Sequence, residues 1–125
     1  MKFPENLKYT KDHEWVKVDG DVATVGITDH AQSELGDVVY VDIPDAEAEL
    51  SKDDTFGTIE AVKTVADMYA PVSGQIIEVN DKLNDAPETI NSDPYGDGWI
   101  VKIKMSNPAE ADTLMDKAAY EATLN

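Results

Sequence analysis

The sequence contains no cysteine. Disulfides, thiolate metal sites and a cysteine nucleophile are therefore excluded, and any sulfur redox chemistry has to be brought in by a cofactor. Positive charge is also scarce: Lys and Arg number 10 against 26 Asp and Glu, a formal charge of −16. Such a field repels phosphate backbones and argues against a nucleic-acid partner. It suits steering toward basic patches on other proteins, although solubility alone would also account for it. No apolar run approaches the roughly 18 residues of a membrane span, so no membrane partner is expected. The N-terminus, MKFPENLKYT, lacks both the apolar stretch of a secretory signal and the Arg/Ser-rich character of a transit peptide. The expected location is cytoplasmic, with the mitochondrial matrix an option only if a transit peptide had been removed.

The usual catalytic constellations are missing too. There are two histidines, His13 and His30, and neither has the spacing of a metal pair such as HExxH. There is no GxGxxG and no P-loop, and Ser73 in Pro-Val-Ser-Gly lacks the GxSxG elbow and reads as a turn residue. Asp12-His13-Glu14 has acid/base groups side by side, but such clusters arise easily among 26 carboxylates. The expectation is a protein that is not an enzyme and holds no metal.

What is present is a chain of 125 residues, 42% of them hydrophobic, which fits one domain over 1–125 with one core. From Glu14 onward the pattern is largely β. Trp15, Val16 and Val18 run into Asp19-Gly20, and Val22 to Val25 and Ile27 follow, a strong hairpin signal. Residues 28–36 read as a short helix, with Thr28 placed to cap its free N–H groups and Gly36 to end it. Val38 to Ile43 reads as a strand stopped by Pro44, and the acidic stretch 45–54 as a surface connection. Strands are expected from Thr55 to Val62 and on to about Tyr69, joined by a turn near Lys63-Thr64. Gln75 to Val79 and Trp99 to Lys104 extend the pattern, with 80–98 as loop and short turns. At the C-terminus Asn107 can cap, Pro108 suits the first helical position and Glu110 lies three residues after the cap. Leu114, Met115, Ala118 and Ala122 then share one helical face, which predicts a helix over 108–123 packed on the β body.

Among these residues Lys63 is the candidate for chemistry. Strand-like segments flank it, so it should project into solvent from a hairpin tip, open to a modifying enzyme. Position alone does not single it out, because exposed lysines are common.

The surrounding residues do. Glu60, Lys63 and Pro71 through Gly74 reproduce a Glu-x-x-Lys, hydrophobic strand, Pro-x-Ser-Gly arrangement. Tyr9-Thr10-x-x-His13-Glu14-Trp15-Val16 forms a second block, Gly26-Ile27-Thr28-x-x-Ala31-Gln32 with Leu35-Gly36-Asp37 a third, and Pro94-Tyr95-Gly96-x-Gly98-Trp99 a fourth. In this order and spacing, over nearly the whole chain, they resemble the glycine cleavage system H protein family, a relative of lipoyl and biotinyl domains. Two departures fall in the surface connection. Asp-Ala-Glu-Ala follows Pro44 where many relatives carry a glycine, and Ser51-Lys52-Asp53-Asp54 lacks another.

The resemblance implies a mainly β fold, a flattened barrel or sandwich of the lipoyl-domain (barrel-sandwich hybrid) type with a short internal helix and a C-terminal helix. It implies a monomeric carrier with lipoic acid joined to Lys63 as an amide, which removes the lysine charge and adds an arm ending in a cyclic disulfide. The implied partners are a pyridoxal-phosphate glycine decarboxylase (P-protein), a tetrahydrofolate-dependent aminomethyltransferase (T-protein), dihydrolipoamide dehydrogenase (L-protein) and a lipoylating enzyme. An aminomethyl group would be shuttled from the first to the second, and the third would reoxidise the arm. Glu14 and Asp67 match acidic positions that hold the end of the arm in a cleft, and Asp12 is near enough in sequence to assist. A lipoyl domain of a 2-oxoacid dehydrogenase would be expected to show Asp-Lys-Ala and a flexible linker, and a biotin carrier Met-Lys-Met. Here the site reads Val62-Lys63-Thr64. An H-like protein that relays lipoyl groups to other enzymes stays open as the alternative.

Overall fold

The computed structural model describes residues 2–43 and 47–124. Two antiparallel sheets face each other across one core. The larger has six strands in the order β1 (Lys8–Tyr9), β2 (Glu14–Asp19), β3 (Val22–Ile27), β9 (Val101–Met105), β8 (Gly74–Val79), β5 (Glu49–Leu50). The smaller has three, β4 (Val38–Asp42), β6 (Thr55–Ala61) and β7 (Val65–Tyr69), with β6 in the middle. Val16, Val25, Ile76 and Ile103 from the first sheet pack against Val41, Ile59 and Met68 from the second. The sheets are open at their edges, so the expected sandwich forms without closing into a barrel.

The hairpin of β2 and β3 forms with its loop one residue later than the Asp-Gly pair suggests. Asp19 pairs with Val22, and the two loop residues are Gly20 and Asp21. Gly20 takes φ +65°, which a primed turn requires at its first loop position. Helix α1 (Asp29–Leu35) carries the expected caps: Thr28 accepts from the Ala31 amide, and the Gly36 amide bonds back to Gln32. Pro44, expected to stop β4, lies outside the described residues. Within 80–98 two one-turn helices form, α2 (Lys82–Asp85) and α3 (Thr89–Ser92), each inserting one apolar side chain, Leu83 and Ile90, into the core.

The C-terminus departs from expectation. Instead of one helix over 108–123 there is a 3-10 segment, Pro108–Thr113, then a break, then α4 (Lys117–Thr123). Asn107 makes no capping bond through its side chain. Glu110, expected to complete a capping box, reaches across to accept from the amide and hydroxyl of Ser73 at 2.8 and 3.0 Å. At the break Met115 exchanges two backbone hydrogen bonds with Tyr9, and Asp116 caps the new helix by accepting from Ala119. Ala118 and Ala122 are exposed. The buried residue of α4 is Tyr120, stacked on Tyr9 with ring centroids 4.8 Å apart. A backbone pairing and a strong N-cap residue outweigh the apolar stripe, which here is too weak to hold a continuous helix.

Two residues of the surface connection have an unusual backbone. Glu47 and Asp53 each adopt φ +76°, in the left-handed region that disfavours a side chain. Glu47→Gly is expected to stabilise the protein by about 0.5–1 kcal/mol, the left-handed cost relieved less the unfolded-state entropy that glycine adds. Asp53→Gly should gain less, because aspartate tolerates this region. Chemical denaturation of the two variants checks this, and a loss of stability in Glu47→Gly would refute it.

Candidate functional site

Lys63 stands at the tip of the β6–β7 hairpin. Glu60 pairs with Val65, and the Ala61 amide donates to Thr64 O at 2.8 Å to close the loop. Lys63 is exposed, between Val62 and Val65, which are 76% and 58% exposed. The Val62 amide donates to Asp37 O at 3.0 Å, which ties the tip down next to the pairing of Ala61 with Val38. The lysine side chain lies along Gly36 at the end of α1. A β-carbon there would stand 3.3 Å from Lys63 Cε, and Gly36 has φ +78°. Glycine is therefore favoured at 36 twice over, by the helix ending and by room for the lysine stem.

A groove of about 380 Å³ lies between α1 and β7. His30, Ala31, Glu34 and Leu35 form the helix side, and Ala66, Asp67 and Met68 the strand side. Ile27 and Ile59 are part of the lining, as are Asp12, His13 and Glu14. The structure thus brings Glu14, Asp67 and Asp12 to one cavity, with Lys63 beside Gly36, the residue after Leu35 of its lining.

The two principal carboxylates are not equivalent. Asp67 is exposed, whereas Glu14 is 2% exposed. Oε2 of Glu14 accepts from the Tyr69 amide at 2.7 Å, and Oε1 accepts from the Thr10 hydroxyl at 3.3 Å. Loss of solvation dominates over these bonds, and together with the negative field of Asp12 and Asp53 it pushes the Glu14 pKa up to about 8. A second cavity, of about 330 Å³, also has Glu14 and Asp12 in its lining, with Lys11 and Lys52. The buried carboxyl therefore borders both cavities.

Among known proteins, a family model described as Glycine cleavage H-protein matches residues 7–125. The chain belongs to that family. It is similar to the glycine cleavage system H protein of Bacteroides thetaiotaomicron, 52% identical over 125 residues that span 100% of this chain and 99% of the relative. It is likewise similar to that of Symbiobacterium thermophilum, 56% identical over 119 residues covering 95% and 93%. A crystal structure of a glycine cleavage system H protein from Mycobacterium marinum superposes with a TM-score of 0.89, at 38% identity and 98% coverage of each chain.

Within this H-protein frame, the sequence did not disclose how the Glu14 end of the groove is braced. Thr10 Oγ1 accepts from the amides of Asp12 and Glu14, both at 3.2 Å, which leaves its proton for Glu14 Oε1. His13 takes φ +65°, and its Nδ1 lies 2.8 Å from the hydroxyl of Tyr120 on α4. That hydroxyl is in turn 2.8 Å from Thr28 Oγ1, the cap of α1. The Ala31 amide already donates to Thr28 Oγ1. Thr28, Tyr120 and His13 thus form one hydrogen-bonded chain, and burial and His30 lower the His13 pKa. The two imidazoles stand 4.8 Å apart, centroid to centroid. Among the described residues no group of three His, Cys, Asp or Glu side chains is arranged to hold a metal. The signal for Tyr120 is absent from local sequence, since its partners lie 92 and 107 positions away.

Proposed function

We propose that residues 1–125 form one carrier domain of the glycine cleavage system that acts as a monomer, with lipoic acid held as an amide on Lys63 Nζ. The observation that carries this reading is an exposed hairpin-tip lysine whose stem rests on Gly36, next in sequence to Leu35 of a groove that is also lined by a buried carboxyl group. When bound, lipoic acid supplies a disulfide that can accept two electrons and an aminomethyl fragment, chemistry this cysteine-free chain does not hold. The protein's contribution is tethering and shelter. It raises the local concentration of the fragment at each partner: the glycine decarboxylase, the tetrahydrofolate-dependent aminomethyltransferase and the dihydrolipoamide dehydrogenase. A lipoylating enzyme is the fourth partner. The bacterial relatives fit a cytoplasmic setting.

Glu14 acts on the amine of the aminomethyl cargo. With its pKa pushed up to about 8, it holds a proton at neutral pH. That proton belongs on Oε1, because Oε2 is committed to the shorter amide bond from Tyr69. A neutral amine reaching the end of the groove takes it, so that –COOH and –NH2 become –COO⁻ and –NH3⁺ in a charge-assisted hydrogen bond. Asp67 adds a weaker, solvent-screened attraction at an exposed position. The apolar groove residues Ile27, Ile59 and Met68 keep water from the cargo.

Expression with lipoate followed by peptide mass mapping, then reconstitution with glycine decarboxylase, tests the reading. Modification at Lys63 with glycine/bicarbonate exchange is expected. A lipoyl group elsewhere would overturn it, and modification at Lys63 without exchange would favour the relay of lipoyl groups to other enzymes.

A further inference from the structure

Asn91 lies on α3, in a stretch with no part in the groove. Its Oδ1 accepts from the Val38 amide at 2.9 Å. Its Nδ2 donates to Gly36 O at 2.8 Å and to Gln32 Oε1 at 3.1 Å. Gly36 O follows the last turn of α1, where carbonyls have no helical partner, and Val38 N opens the edge strand β4. One side-chain amide therefore substitutes for a neighbouring strand and clamps the backbone on both sides of Asp37.

Asp37 is the residue on which the hairpin tip hangs. Its carbonyl accepts from the amide of Val62, next to Lys63, while the Lys63 stem rests on Gly36. The three clamped residues thus set both the height of the tip and the surface under the lysine. The exposed Asp37 link between α1 and β4 would otherwise move more freely, since its two ends belong to different elements.

We propose that Asn91 is a positioning residue: through the clamp on Gly36 and Val38 it fixes the Lys63 tip beside the Leu35 end of the groove. The inference rests on the carrier reading and adds to it a residue that touches neither the lysine nor the cavity.

The test compares Asn91→Ala with Ile90→Val, which thins the buried side of the same short helix without touching the clamp. Amide hydrogen exchange on the unmodified proteins is read at Val62 and Val38. Lipoylation kinetics are then measured with the full-length variant as substrate. Asn91→Ala, which removes all three bonds of the clamp, should lower protection at both amides by at least about fivefold, the net effect of a single bond, and raise KM for lipoylation by a similar factor with kcat unchanged. Ile90→Val should leave the Val62 amide and KM as they are in the original protein. If Asn91→Ala does not fold, Asn91→Ser, too short to bridge both groups, takes its place. Equal behaviour of the clamp variant and Ile90→Val would overturn the proposal. Failure of the unaltered protein to be modified at Lys63 would instead overturn the carrier reading, so the two failures are distinguishable.

Discussion

Lys63→Arg is expected to leave the fold intact and to remove glycine/bicarbonate exchange altogether. The side chain is exposed at a hairpin tip, where a substitution usually shifts stability by no more than about 0.5 kcal/mol. Arginine keeps the charge and the apolar stem that lies along Gly36, so the loop and its surroundings are disturbed little. It cannot take the acyl group as lysine does, because its guanidinium stays protonated and offers no nucleophilic amine. The ten cationic side chains of this chain are all lysines, which makes the experiment discriminating. Nine remain in the variant, and lipoylation at any of them with retained exchange would show that the tip is not the site. What sets Lys63 apart from the other nine is its surroundings. It has a tip bonded to Asp37, two exposed valines beside it, and a stem resting on Gly36, which follows Leu35 of the groove lining. Unfolding curves of the variant, matched to those of the original protein, separate lost chemistry from lost structure.

Much of this architecture can be read from local sequence, and the pieces that cannot have a common cause. Thr28 and Gly36 bracket α1 because capping is decided within four residues. The hairpin around Gly20 follows from turn chemistry, with an error of one residue at its loop, and the one around Lys63 from the β-rich runs on either side. The C-terminal break is different. It depends on a pairing between Met115 and Tyr9, more than a hundred positions apart, against which a local apolar stripe has no say. The clamp at Asn91 and the link from His13 to Tyr120 are non-local in the same way. In the site itself, Lys63 and the pair Glu14 and Asp67 were drawn out by family resemblance and not by periodicity. The burial of Glu14 did have a local signal. Alternation along β2 puts Glu14 on the face of Val16, which lies in the main core, and opposite Trp15, which joins the aromatic cluster. A carboxylate on the inward face of a strand is costly unless it is hydrogen-bonded, paired or protonated.

That cost predicts a large effect of Glu14→Gln on both stability and function. In the unfolded chain the carboxyl ionises near its ordinary value of 4.5, whereas in the folded protein burial raises its pKa to about 8. Below the lower value the group is protonated in both states and has no influence on stability. Between the two, the folded state holds a proton that the unfolded state has released, so stability falls as pH rises, and it levels off above the folded pKa. The full span is on the order of several kcal/mol. Glu14→Gln, neutral at every pH and able to keep the bond from Tyr69, removes this slope. The variant should match the original protein at low pH and exceed it in stability above pH 8. Unfolding measured across the window decides the point, and parallel curves would mean that Glu14 ionises normally. The functional consequence has the opposite sign. With no proton to give and no carboxylate to leave behind, the variant cannot hold the cargo amine in a charge-assisted bond. Ammonia loss from the aminomethyl-bearing protein should quicken by about 10- to 100-fold, the range for a hydrogen bond to a charged group. Asp67→Asn, at an exposed position, should change the rate by no more than about fivefold, and the double variant should track Glu14→Gln closely. Equal rates in all three and in the original protein would remove Glu14 from the function. A larger effect at Asp67 than at Glu14 would place the amine at the exposed carboxylate and leave the buried carboxyl without a role in holding it.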